Sequence, residues 1–143
     1  MPPNSIRMED ARIKNIVLCH PEQRNIYNKI FGGFLMRKGF EVGWINACMY
    51  SESIVDIEVV DDITFRRPVT IGSLLFLSSQ IVYTEGNSML VKVHAEVIDP
   101  LTKSRDITNE FYFKFNSQKA LVPRVLPKSY SEAMIYLDGK RHW

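Results

Sequence analysis

From Gly32 to Tyr50 the chain contains no proline, and its apolar residues keep to no single helical stripe. Leu35, Val42, Ile45 and Met49 fall on one side of a helix drawn through this segment, and Met36, Phe40, Trp44, Ala47 and Cys48 cover much of another. A helix that is apolar nearly all round must be buried nearly all round. No apolar run in the chain reaches the length of a bilayer span. The cover therefore has to be protein, and a sheet wrapped around the helix supplies it most simply.

The remaining sequence reads as that sheet. Residues 11–18 form a first short strand, and residues 19–31, with Pro21, a turn-rich entry to the helix. After Ser51 the period switches to two. Val55, Ile57 and Val59 alternate with Asp56 and Glu58, and Ile63 and Phe65 continue toward Pro68. Leu75, Leu77, Ile81 and Tyr83 share a face of the next strand, and Glu85-Gly86-Asn87 is a hairpin turn. Met89, Val91, Val93, Ala95 and Val97 alternate with Lys92, His94 and Glu96, and Phe111, Phe113 and Phe115 with Glu110, Tyr112 and Lys114. The expectation is an α+β fold: a long central helix wrapped by a curved antiparallel sheet, its four long strands following as a meander. Past Ser117 the alternation stops. Pro123 and Pro127 mark an extended linker, Ser129 to Leu137 a short helix capped by Ser129 with Glu132 three residues on, and 138–143 a basic, aromatic end. Residues 1–117 are thus expected to form one domain, with 118–143 an extension packed on or flanking it.

Composition narrows the functional classes. At 143 residues the chain is one domain with a proper core, and a formal charge of +2 gives no case for nucleic acid. Cys19 and Cys48 make no disulfide framework, which favours a reducing, intracellular compartment. Met1-Pro2-Pro3-Asn4-Ser5 has neither a signal-peptide core nor a clear transit sequence.

The helix entry carries the chemical signal. In Asn25-Ile26-Tyr27-Asn28-Lys29-Ile30-Phe31-Gly32-Gly33-Phe34-Leu35-Met36 an Asn-rich turn meets a Gly-Gly pair that opens the helix. Backbone N–H groups there lie at the positive end of the helix dipole and can hold developing negative charge. Without a Cβ, Gly32 and Gly33 let a substrate carbonyl come close. Asn25 can orient a water or a carbonyl, or serve as an Asx-turn residue.

That entry, together with Val60-Asp61-Asp62-Ile63-Thr64-Phe65-Arg66-Arg67-Pro68-Val69 and the C-terminal Tyr136-Leu137-Asp138-Gly139-Lys140-Arg141-His142, resembles the hotdog-fold acyl-CoA thioesterases. The likeness is to the second half of the mitochondrial enzymes that carry two hotdog domains in one chain. The resemblance implies hydrolysis of fatty acyl-CoA to fatty acid and CoA, with no cofactor beyond the CoA of the substrate. It implies an active site at the interface of paired domains, in a homodimer, a higher oligomer or a pair with a second hotdog half. It also implies a mitochondrial location, the cytoplasm remaining open. In related tandem enzymes an Asn before the Gly-Gly works with an Asp on the partner's helix. Asn25 matches the Asn, whereas Phe40 occupies the Asp position and Glu41 follows it.

Thioester hydrolysis needs a placed water, a proton acceptor and a stabilised oxyanion. Gly33 N–H suits the oxyanion role. Glu41 is the one acid of the apolar helix and, if buried there, a candidate base; an i,i+4 ion pair with Arg37 is the competing reading. By analogy with the family, Arg66, Arg67, Asn87 and Ser88 contact the nucleotide of CoA; charged strand ends are otherwise simply solvated. His20, His94 and the cysteines have no zinc-site spacing, and no metal is expected. A hotdog hydratase would need an Asp followed five residues on by a His, an order the chain lacks. A non-catalytic half that binds acyl-CoA or a partner hotdog domain is the alternative function, and Phe40 is the residue that supports it.

Overall fold

The computed structural model describes residues 5–18, 29–30, 32–63, 69–70, 74–99 and 101–143. In order these form β1 (Ser5–Arg7), a 3-10 turn (Met8–Asp10), β2 (Arg12–Leu18), β3 (Lys29–Ile30), α1 (Gly32–Ser51), β4 (Val55–Ile63) and β5 (Val69–Thr70). β6 (Leu74–Glu85), β7 (Ser88–Ile98), β8 (Arg105–Ser117), β9 (Arg124–Leu126) and α2 (Tyr130–Arg141) complete the chain.

The main sheet has five antiparallel strands in the order β2-β6-β7-β8-β4. This corrects the expected meander. β6, β7 and β8 do follow one another, but β4 pairs with β8 at the far edge, and β2 joins β6 as the fifth strand. Both long edges of the sheet thus come from segments that precede β6. The β6–β7 turn is tight: Glu85 pairs with Ser88, and Gly86 takes φ +63°, which glycine adopts without steric cost.

α1 lies across the concave face. Gly39, Gly43 and Ala47 let it seat closely: a Cβ at Gly39 would stand 3.3 Å from the Phe111 ring, and one at Gly43 3.3 Å from Val93 Cγ1's sister methyl, Cγ2. Phe111, Phe113 and Phe115 are buried beneath it, each stabilising the fold by about 1.5–3 kcal/mol. On the β2–β6 side, buried Asn46 donates to the Ala11 carbonyl at 3.2 Å and to Ser79 Oγ at 2.9 Å. On the β4 side the Trp44 indole donates to the Val55 carbonyl at 3.1 Å. The expectation of burial nearly all round needs correction. Arg37, Glu41, Ile45 and Met49, four residues apart, form an exposed stripe pointing away from the sheet.

Three register shifts are seen among the described strands: one lies in the β7–β8 pair, between Ala95 and Glu96, and the other two re-phase the alternation of β4 and β6. In β4 the register shifts between Ile57 and Val59, so Ile57 pairs with Phe115 and Val60 with Phe113, while Val59 meets Lys114 on the opposite face. In β6 the shift falls between Ile81 and Tyr83. Tyr83 therefore leaves the face of Ile81 and meets Tyr136 and Trp143, with ring centroids 5.4 and 5.0 Å apart.

The last residues cover the sheet's outer face. Ser129 Oγ caps α2 by accepting the Glu132 N–H at 3.1 Å, and the Glu132 carboxylate accepts the Lys128 N–H at 2.8 Å. The helix runs past Leu137 to Arg141, four residues further than expected. His142 stacks on Tyr112 at 4.2 Å, and Lys114 Nζ sits 4.1 Å above the Trp143 ring. The proline-flanked segment forms β9, paired in parallel with β1.

Candidate active site

Gly32 and Gly33 open α1 as expected, and the first turn carries no acidic side chain to compete for its N–H groups. A two-residue antiparallel ladder holds this end: Lys29 pairs with Thr70 and Ile30 with Val69. The ladder brings the chain directly after Arg66-Arg67-Pro68 beside the chain directly before Gly32. Arg66, Arg67 and Asn25 themselves lie outside the described residues, as do Cys19 and His20. Sequence reasoning missed the ladder, since two residues are too few for any periodicity to show.

Glu41 is not buried within one chain. Its side chain is 50% exposed on the open stripe of α1 and pairs with Lys38, three residues earlier, at 3.5 Å rather than with Arg37. The helix turns that position away from the sheet. Glu41 also lies two turns beyond Gly33, about 12 Å along the axis. Phe40 instead leans toward the core, its ring edge-on to Phe113 at 5.9 Å and tilted on Phe115 at 5.8 Å.

Asn87 and Ser88 sit at the other end of the domain. Asn87 Nδ2 donates to the Ser117 carbonyl at 3.1 Å, and Ser117 Oγ lies 2.6 Å from Ser53 Oγ, just past the end of α1. Ser88 Oγ donates to Asn116 Oδ1 at 2.6 Å. The length of α1, roughly 25 Å from Gly33 onward, separates them from the Gly-Gly pair. A single chain does not bring these two groups to one reacting centre.

A cleft of about 1020 Å³ opens at that same far end, lined by Tyr50, Glu52, Thr84, Lys119, Arg124 and Tyr136 among others. One of its tyrosines is already engaged: Tyr50 OH donates to the Pro123 carbonyl at 2.6 Å, and burial pushes its pKa upward. The cleft is remote from the helix N-terminus and holds no reactive pair. His94 stands between Glu96 at 3.1 Å and Glu110 at 3.5 Å on the outer face, and burial raises the Cys48 thiol pKa. Among the described residues no group of His, Cys, Asp and Glu is placed to hold a metal ion, and no helix is long and apolar enough to cross a membrane.

No family model matches the chain. Over all 143 residues it is 51% identical to the mitochondrial acyl-coenzyme A thioesterase 9 of Bos taurus, covering 100% of this chain and 32% of the relative. The human counterpart is 50% identical with the same coverage. The chain thus spans about a third of the length of the curated relatives it matches. An acyl-CoA hydrolase from Staphylococcus aureus, solved in complex with butyryl coenzyme A, coenzyme A and coenzyme A disulfide, superposes with a TM-score of 0.89 at 22% identity, over 96% of this chain and 87% of that one. A hexameric acyl-CoA thioesterase in its apo form superposes with a TM-score of 0.86 at 26% identity, over 97% and 94%. These neighbours are hotdog folds, and so is this chain.

Proposed function

The chain is a hotdog domain homologous along its whole length to part of the mitochondrial acyl-CoA thioesterases, and from that premise we propose that it hydrolyses fatty acyl-CoA to fatty acid and CoA. The observation that carries the reading is the Gly32-Gly33 start of α1, free of acidic side chains and braced by the β3–β5 ladder. There the Gly33 N–H donates to the oxyanion formed when water adds to the thioester carbonyl. Asn25 orients the water or the carbonyl. Arg66 and Arg67 meet the phosphates of CoA. The reaction uses no cofactor beyond the substrate's own CoA.

The carboxylate is supplied across a domain pair. The open stripe of α1 and the β4 edge, where Ile57, Val59 and Val60 are exposed, are the surfaces a second hotdog domain would cover. That partner is a second copy of this chain or another hotdog half; the hexameric neighbour supports assembly of this kind. Such a cover takes Glu41 out of water, so that Glu41 or its counterpart becomes the proton acceptor. Asn87 and Ser88, at the far end of α1, then contact the nucleotide of a substrate held by the partner. The mitochondrial relatives support a mitochondrial location.

A non-catalytic half remains the second reading, because Phe40 fills with core packing the position at which the resemblance implies an acid. Steady-state release of CoA from acyl-CoA by the wild-type chain and by Asn25→Ala separates the two. Hydrolysis that falls about 100- to 1000-fold in Asn25→Ala supports the proposed site. Near-normal turnover in Asn25→Ala contradicts it. A wild-type chain that binds acyl-CoA and releases no CoA belongs to the second reading.

A further inference from the structure

The C-terminal helix has a face that the domain itself does not use. Tyr130, Met134 and Leu137 stand at i, i+4 and i+7 of α2, within about 60° of arc, and Arg141 continues the line. They point away from the sheet, 82%, 42% and 50% exposed. The opposite face of α2 is fixed in place. Glu132 is buried and bonded to Arg12 at 2.8 Å, and Gly139 lies on Val82, 2.7 Å from where a Cβ would be. The stripe is thus presented rigidly, along a ridge about one helix diameter, roughly 10 Å, high. Single apolar residues on a surface are ordinary; an unbroken stripe on a fixed ridge marks a contact.

The exposed charge beside the stripe is positive. Lys128 stands exposed just before the helix, and Lys140 is exposed on its last turn. Asp138, the acid on this side of α2, is already held by Arg141 at 2.5 Å. The helix dipole accounts for basic residues at the C-terminal end. It does not account for Lys128, whose charge it opposes, nor for the apolar stripe.

Shape and charge together select the occupant. A convex ridge encloses no small molecule. A second copy seated on it by a two-fold axis would set Lys128 against Lys140 where the helices run antiparallel, or against its own counterpart where they run parallel. Like charges meet in both arrangements. A flat, yielding surface with a negative face and an apolar interior matches the ridge, and that is an anionic bilayer. We infer that α2 docks the domain on an anionic lipid surface. Met134 and Leu137 enter the acyl boundary, Tyr130 sits at headgroup level with its hydroxyl in water, and Lys128 and Lys140 reach lipid phosphates. The contact is peripheral, since no helix among the described residues is long and apolar enough to span. The open stripe of α1 lies on the other side of the sheet, so docking leaves it free for a partner domain. The inference goes beyond the proposed hydrolysis and does not depend on it.

The test measures the fraction of the full chain that sediments with vesicles. One set is phosphatidylcholine alone, the other phosphatidylcholine with one part in three phosphatidylserine. Wild type should bind the mixed vesicles, bind the neutral ones far more weakly, and be released as salt is raised. The double variant Met134→Glu, Leu137→Glu should bind the mixed vesicles at least about tenfold more weakly, with its urea midpoint unchanged. The double variant Lys128→Ala, Lys140→Ala should lose about fivefold for each charge removed. Wild type that does not sediment with the mixed vesicles overturns the inference, as does binding that neither double variant weakens. A smaller assembly in Met134→Glu, Leu137→Glu with vesicle binding unchanged also overturns it, and gives the stripe to another copy of the chain. If that variant does not fold, Lys128→Ala, Lys140→Ala decides the matter alone. No arm reads CoA release, so failure here leaves the proposed hydrolysis standing.

Discussion

The two faces of α1 are made on different principles. The inner face is small and close: Gly39, Gly43 and Ala47 bring the backbone down onto aromatic rings, and Asn46 spends its amide on Ala11 and Ser79. The outer face is long and mixed, with Arg37, Glu41, Ile45 and Met49 in the open and Met49 68% exposed. The inner face is completed by this chain, whereas the outer face is left open. Core packing tolerates little change, but an unfinished surface can be altered without unfolding the domain. That difference separates what holds the fold from what, in the proposed function, assembles the site.

Breaking the inner face should produce the largest effect. Phe113→Ala removes a fully buried ring at the meeting of Phe40, Phe111 and Phe115, and urea denaturation should show a loss of about 3–5 kcal/mol. Gly43→Leu drives a side chain toward Val93 and Phe113; the same measurement should show a loss of about 1–3 kcal/mol or failure to fold. A Gly43→Leu domain of wild-type stability would mean that α1 is not seated closely.

A titrating contact extends the contrast to the far side of the sheet, which the chain also finishes for itself. The Lys128 N–H beside Glu132 holds its carboxyl below the ordinary value, helped by the Ser129 backbone and by Arg12 Nη2 at 2.8 Å, while burial opposes them. A carboxyl lowered in the folded state adds stability above its unfolded pKa and loses it as pH falls through the lowered folded value. Part of the domain's stability should therefore disappear on acidification below the ordinary value of 4.5. Glu132→Gln should flatten that acid limb; a limb of unchanged steepness would remove Glu132 from the account.

The smallest effect on stability should come from the outer face. Met49→Glu should change the unfolding free energy by no more than about 0.5 kcal/mol. In sedimentation it should nevertheless weaken or abolish pairing. A variant that still pairs like wild type would move the interface off the α1 stripe.

Much of this architecture was legible in the sequence because one period dominates each long element. The Phe111-Phe113-Phe115 and Met89-to-Val97 alternations find their register in the sheet, and Ser129 caps α2 as its spacing with Glu132 predicts. The misreadings share a cause: they depend on contacts distant in sequence. Neither the β4 nor the β6 bulge carries a Gly or Pro, so nothing local reveals that Val59 and Tyr83 change face. α2 continues through Gly139 because Val82 stands 2.7 Å from where a Cβ would be, leaving room only for glycine. The pairing of β4 with β8 rather than with its next long neighbour is set by where α1 lies, not by either strand's own pattern. At the candidate site the Gly-Gly opening could be read directly, since it is chemistry built from backbone. Glu41 could not: an acid among apolar residues reads as buried, but the helix turns it onto the open stripe, where it pairs with Lys38.

The central claim is that the site on the Gly32-Gly33 terminus hydrolyses acyl-CoA once the open face of α1 is covered. Its most direct test is the rate of CoA release per chain, measured against protein concentration across the range in which sedimentation shows pairs forming. The account predicts that specific activity toward acyl-CoA rises in step with the paired fraction and levels off when pairing is complete. Fully paired protein that releases no CoA, or specific activity that is constant from monomer to pair, would contradict it.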